Sequence, residues 1–167
     1  MSDSKVETGR DSGSGIRDSS GQGSGIRDQR SGSAAGDQGL EALIDAARKV
    51  RENACADFSH FKVGAAIEAS DGTVITGCNI ENATYGLTVC AERVALWKAL
   101  SEGHRTFRRI AIVTPPDAPT PPCGACRQLL WEFAGDVEVI LANLQGETGR
   151  HRLSDLLPQP FDARFLK

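Results

Sequence analysis

Residues 109–141 read RIAIVTPPDAPTPPCGACRQLLWEFAGDVEVIL, and the order of elements in that stretch decides the fold class. Ile110, Ile112 and Val113 make a short apolar run of strand type. Five prolines between 115 and 122 cannot continue a helix or a ladder, so this segment is a loop. Cys123 or Gly124 then opens a helix that runs through Phe133 and is ended by Gly135. Val137, Val139, Ile140 and Leu141 form a second, buried strand. Strand, helix, strand implies a parallel pair covered by a helix. Working outward, Cys90 to Leu100 has helical character with Gly103 as its stop. Lys62 to Ala69 and Thr73 to Cys78 are strands joined at the hairpin turn Asp71-Gly72. Leu40, Leu43, Ile44, Ala47, Val50 and Ala54 share one helical stripe, which predicts a first helix over about 40–54. Leu153 to Lys167 holds a short helical piece. The expected architecture is α/β: a three-layer α/β/α sandwich with a mixed, roughly five-stranded sheet.

The first 39 residues differ from the rest. They hold 9 of the 18 glycines and 9 serines, and no aromatic residue. Gly13-Ser14-Gly15-Ile16-Arg17-Asp18 returns as Gly23-Ser24-Gly25-Ile26-Arg27-Asp28. Such a segment buries too little apolar area to offset its ordering entropy, so 1–39 is expected to be a disordered tail and 40–167 the folded domain. The chain of 167 residues carries a net charge of −3, with 5% aromatic residues. That balance does not suit phosphate-dominated binding to nucleic acid. No apolar run approaches the roughly 18 residues of a membrane helix, and no apolar core of a secretory signal is visible. Five cysteines, unevenly spaced, argue against a disulfide framework and for metal or thiol chemistry in a reducing compartment, so a cytoplasmic location is expected.

The chemistry concentrates in Cys90-Ala91-Glu92 and in Pro122-Cys123-Gly124-Ala125-Cys126, each where a helix begins. Cys90, Cys123 and Cys126 supply three sulfurs, which suits a zinc ion that keeps its fourth position open. Helix N-termini favour thiolates, and the C-x-x-C spacing brings two of them together in one turn. Glu92 stands where a carboxylate can exchange a proton with water on the metal. Three thiolates on Zn²⁺ leave an excess negative charge, and Arg93 or Arg127 could offset it by hydrogen-bonding sulfur. Cys55 and Cys78 are expected to be small buried hydrophobes rather than ligands, and His60, His104 and His151 are not assigned to the metal.

The C-x-E and P-C-x-x-C pair resembles the all-cysteine form of the zinc deaminase signature. With Phe61-Lys62-Val63-Gly64-Ala65-Ala66, Asn79-Ile80-Glu81-Asn82-Ala83, Arg93, Arg127-Gln128 and Leu156-Leu157-Pro158 with Phe161, the domain is similar to the free-nucleoside branch, the cytidine deaminases, over about 40–165. The resemblance implies one zinc on Cys90, Cys123 and Cys126, with Glu92 as proton shuttle. It implies that Asn79 and Glu81 hydrogen-bond the ribose 3′-hydroxyl, that Phe61 lies beside the nucleoside, and that the Ala91 backbone meets the base edge. It further implies that Tyr85 approaches a neighbouring subunit's site and that Phe161 packs on the base from a neighbouring subunit, in a homotetramer. Without the resemblance, Asn79 and Glu81 could equally cap a turn, and Phe61 and Phe161 could simply pack.

The implied reaction is hydrolysis of cytidine and 2′-deoxycytidine at C4, giving the uracil nucleosides and ammonia, as in pyrimidine salvage. Glu92 takes a proton from the zinc-activated water, gives a proton to N3 and later helps the amine leave. Three competitors stay open: a deaminase of another aminopyrimidine such as blasticidin S, a polynucleotide deaminase, and a zinc-stabilised binding module with no catalysis. The second would want a basic groove with stacking aromatics, and the third a fourth ligand.

Overall fold

The computed structural model describes residues 34–115 and 120–166, with side chains from Gln38 onward. Helix α1 spans Ala34–Arg51, strand β1 Gly64–Ala69, strand β2 Val74–Cys78, helix α2 Ala91–Ser101 and strand β3 Phe107–Val113. Helix α3 spans Gly124–Ala134, strand β4 Glu138–Ala142, strand β5 Glu147–Arg152 and the one-turn helix α4 Leu153–Leu156. The sheet order is β2-β1-β3-β4-β5. Only β3 and β4 run parallel, in register Ile110↔Val139 and Ile112↔Leu141; the other pairings are antiparallel. The strand, helix, strand reading of residues 109–141 corresponds to β3, α3 and β4.

Strand alternation sorts the core onto two faces. Ala65, Ile67, Ile110, Ile112, Val139 and Leu141 face α2 and α3, where Ala95, Leu96, Ala99 and Leu130 meet them. Ala66, Ala111, Val113, Ile140 and Ala142 face the other way and are covered by Leu40, Leu43, Ile44 and Ala47 of α1. Every residue of β1 is buried, as befits a strand covered on both faces. This is the three-layer α/β/α sandwich with a mixed sheet.

Two boundaries differ from the sequence reading. Helix α1 begins at Ala34 rather than near Leu40, so 34–39 is helical; no large apolar residue before Leu40 announces that extension. It also ends at Arg51, ahead of Ala54. The rest of the expected disordered tail, residues 1–33, and residues 116–119 of the proline loop lie outside the described residues. Strand β5 was not anticipated. Its sequence, ETGRHR, has no apolar alternation and none of its residues is fully buried, because it is an edge strand paired on one side only. Among the described residues, no helix is long and apolar enough to cross a membrane.

Gly77 sets how closely α2 lies on the sheet. A Cβ there would fall 2.4 Å from Ala95 N and 2.7 Å from the Ala91 carbonyl oxygen, both helix backbone atoms that cannot swing aside. We expect Gly77→Ala to lower stability by about 3 kcal/mol and to reduce metal content, because the start of α2 must move. Gly72, at φ 91° in the distant hairpin turn with open space around it, serves as the control. Gly72→Ala should lower stability by about 1 kcal/mol and leave metal content intact. Thermal melts and metal analysis check both; wild-type values for Gly77→Ala would show that the close approach is unimportant.

Candidate active site

Cys90 and Cys123 are the N-cap residues of α2 and α3, both in extended backbone conformation. Cys126 lies one turn into α3 and is buried. The two helices thus aim their free N–H ends at one point, where thiolates are favoured. Cys90 Sγ and Cys123 Sγ are 3.9 Å apart, Cys123 Sγ and Cys126 Sγ 3.5 Å, and all three sulfurs lie within 4.8 Å of one another. Tetrahedral zinc with bonds of about 2.3 Å to sulfur sets its ligands roughly 3.8 Å apart, so the trio fits the ion. Among the described residues no fourth histidine, cysteine or carboxylate joins this cluster.

The sulfurs are not equivalent. The Cys90 thiol is held down at about 5, first by the hydrogen bond from Cys126 and then by the Arg93 guanidinium, against the opposing effect of burial. The Cys126 thiol is pushed up, because its proton bridges to Cys90 and because it is buried. Arg93 Nη2 donates to Cys90 Sγ at 3.5 Å and to the Thr88 carbonyl at 3.2 Å, with its guanidinium over the Trp97 ring. Arg127 is placed otherwise. Its Nε and Nη1 donate to the carbonyls of Pro122 at 2.6 Å and Leu156 at 2.7 Å. It therefore ties the loop entering α3 to the end of α4, and the thiolate contact expected of it falls to Arg93 alone.

Glu92, in the first turn of α2, is 5% exposed. Burial pushes its carboxyl up to about 7, and the negative charge on Cys90 adds to the effect. It lines a cavity of about 430 Å³ together with Cys90, Cys123, Ala91, Phe61, Asn79 and Glu81. Two of the three cysteines, Cys90 and Cys123, thus share one hollow with an amide and a carboxylate, while Cys126 is buried behind its lining.

Asn79 and Glu81 also bond to the chain that carries Phe61. Asn79 Oδ1 accepts from Val63 N at 2.8 Å, and its Nδ2 donates to the Phe61 carbonyl at 2.9 Å. Glu81 Oε2 accepts from the backbone amides of Phe58 and Ser59 at 2.9 and 3.1 Å, while Oε1 accepts from the Ser59 hydroxyl. These bonds, the Ser59 hydroxyl foremost, hold the Glu81 carboxyl below its usual range. Turn capping and cavity lining are thus combined in the same side chains.

Tyr85 and Phe161 stand apart from this cavity. Tyr85 is 80% exposed and packs edge-on against Phe58 beside the cavity mouth. Phe161 is 58% exposed and stacks on Phe165, and its carbonyl accepts from Gln128. Ser59, Thr88 and Thr114 line the cavity and were missed. Thr114 carried a usable signal, a single polar residue ending the apolar run of β3. Ser59 and Thr88 sit in irregular segments with no periodicity to mark them.

Comparison with known proteins bears on the same residues. The family model for the cytidine and deoxycytidylate deaminase zinc-binding region matches residues 37–143. A cytidine deaminase of Halalkalibacterium halodurans is 52% identical over 124 residues, covering 74% of this chain and 94% of that protein. A cytidine deaminase of Sporosarcina psychrophila is 47% identical over 128 residues, covering 76% of this chain and 94% of that protein. The crystal structure of a cytidine deaminase from Burkholderia pseudomallei superposes with a TM-score of 0.70 at 50% identity, covering 72% of this chain and 98% of that one. The cysteine trio lies within that zinc-binding region and is positioned to bind a metal ion.

Because Cys126 must surrender its proton to become a ligand, zinc affinity should rise with pH, by at least about tenfold per unit below neutrality. Competition with a chromophoric chelator at two pH values measures this. A flat profile would show that the trio is not the ligand set.

Proposed function

The chain belongs to the cytidine and deoxycytidylate deaminase family, and from that footing we propose how its residues carry out the hydrolysis of cytidine and 2′-deoxycytidine to the uracil nucleosides and ammonia. The observation that carries the proposal is a buried carboxylate, Glu92, beside a three-sulfur metal site inside a cavity of nucleoside size. Cys90, Cys123 and Cys126 would hold the zinc, which would supply the Lewis acidity that makes water a nucleophile near neutral pH. Glu92, a buried carboxyl in the first turn of α2, is placed to accept a proton from that water and to give it up again. It then delivers that proton to N3 of the pyrimidine as C4 becomes tetrahedral; a second proton, taken from the hydroxyl now on C4, goes to the amine as the C4–N bond breaks and the C4 carbonyl forms. Arg93, donating to Cys90, offsets the excess negative charge of three thiolates.

Around the reacting atoms, the Ala91 backbone is assigned to the base edge and Phe61 to the face of the nucleoside. Asn79 and Glu81 are assigned to the ribose 3′-hydroxyl. A carboxylate on this wall would also repel a 5′-phosphate near it, which favours nucleosides over nucleotides. Tyr85 and Phe161 are assigned to a neighbouring subunit's site in a homotetramer; their exposure as large aromatics supports this, since such groups gain by burial at an interface. The expected setting is cytoplasmic pyrimidine salvage.

Loss of cytosine absorbance on mixing zinc-loaded protein with cytidine, deoxycytidine, cytosine, CMP or blasticidin S tests the substrate reading. Rapid loss is expected with the two nucleosides, and a slower or absent one with the rest. Glu92→Gln should lose at least about 10²-fold in turnover while keeping its zinc. A Gln variant of near-normal activity would overturn the shuttle role.

The subunit reading is tested separately. Light scattering should give four chains per particle, and Phe161→Ala should raise KM. Mixing Phe161→Ala with Glu92→Gln chains and exchanging subunits should restore sites of normal KM in part. No restoration from a tetramer would place Phe161 outside its neighbours' sites.

A further inference from the structure

We infer that Ser59 is a positioning residue for the sugar end of the site, acting through Glu81 and Phe61. The inference rests on the reading of Glu81 as acceptor for a sugar hydroxyl. Ser59 lines the cavity but stands among exposed residues in an irregular segment. Its hydroxyl donates to Glu81 Oε1 and its Oγ accepts from Phe61 N at 3.0 Å. A hydroxyl has one proton to donate and two lone pairs, so both bonds are satisfied at once. One oxygen atom thereby joins the carboxylate on the wall to the aromatic residue beside it.

The count of acceptor sites shows what this does for substrate. A carboxylate offers about four lone-pair positions. Glu81 Oε2 accepts two backbone amides and Oε1 accepts the Ser59 hydroxyl, which leaves one position on Oε1. That is the oxygen whose direction Ser59 fixes. The terminal torsion of a glutamate is otherwise broad; the two amides hold Oε2, and the bond from Ser59 is the one that holds Oε1 itself and so helps set where its remaining lone pair points.

The turn itself needs holding. His60, between Ser59 and Phe61, has φ 56°, a left-handed conformation that non-glycine residues keep where surrounding bonds enforce it. Those bonds are His60 N to the Ala56 carbonyl at 2.9 Å, Phe61 N to Ser59 Oγ, and the three donors to Glu81. Removing the Ser59 hydroxyl deletes two of them and spares both backbone bonds to Glu81. The turn should survive while losing its aim.

Steady-state kinetics on the zinc-loaded protein test this, with deoxycytidine and with 2′,3′-dideoxycytidine, which lacks the 3′-hydroxyl. Ser59→Ala should raise KM for deoxycytidine about tenfold with kcat within about twofold, and the penalty should shrink to under about threefold with dideoxycytidine. Ser59→Thr, which keeps the hydroxyl, should restore the wild-type KM. Glu81→Gln serves as the reference and should likewise penalise deoxycytidine more than dideoxycytidine. If Glu81→Gln discriminates between the two nucleosides and Ser59→Ala does not, the positioning role of Ser59 is wrong. If Glu81→Gln penalises both equally, the sugar reading of Glu81 fails and this inference falls with it.

Discussion

Three cysteine sulfurs within 4.8 Å of one another cannot all ionise without a cation between them. The bond between Cys126 and Cys90, with Arg93 beside Cys90, lowers the Cys90 thiol and raises that of Cys126. Zinc relieves the repulsion and takes its place where two helix N-termini converge. The convergence is a property of the layer order. Helices α2 and α3 lie on the same face of the sheet, packed through Ala95, Leu96, Ala99 and Leu130 onto β1, β3 and β4. Gly77 lets α2 settle backbone to backbone. That packing is what sets the position of Cys90 relative to Cys123.

The same placement gives Glu92 its chemistry. A residue in the first turn of α2 faces the sheet, so Glu92 is buried as an ionisable group with thiolate charge nearby. In water it would be ionised at neutral pH and a poor acid. Burial raises its carboxyl to about 7, toward the range suited to a group that must both accept and donate a proton. The helix that carries Cys90 at its start thus also removes Glu92 from solvent.

Much of this was legible in the chain itself. The elements from β1 to β4 follow from apolar runs, the Asp71-Gly72 turn, the prolines and Gly135. The metal trio follows from C-x-E and C-x-x-C at two helix starts. Strand β5 was not legible, because a polar edge strand carries no alternation to read. The start of α1 was hidden because the stripe that marks its buried face begins only at Leu40. Arg93 and Arg127 looked interchangeable in sequence, each close to a ligand. Their side chains reach opposite ways, one to sulfur and one to carbonyls, and only tertiary structure decides that. Ser59 was invisible for a different reason: its partners are Glu81, far along the chain, and its own turn.

The claim on which everything else depends is that the metal has three sulfur ligands and one open position. X-ray absorption at the zinc edge of the loaded, substrate-free protein reads this directly. Three sulfurs at about 2.3 Å with one light scatterer at about 2.0 Å is the expected result. A shell of four protein ligands, whether four sulfurs or three sulfurs and an imidazole, would make the site structural and would contradict the catalytic reading.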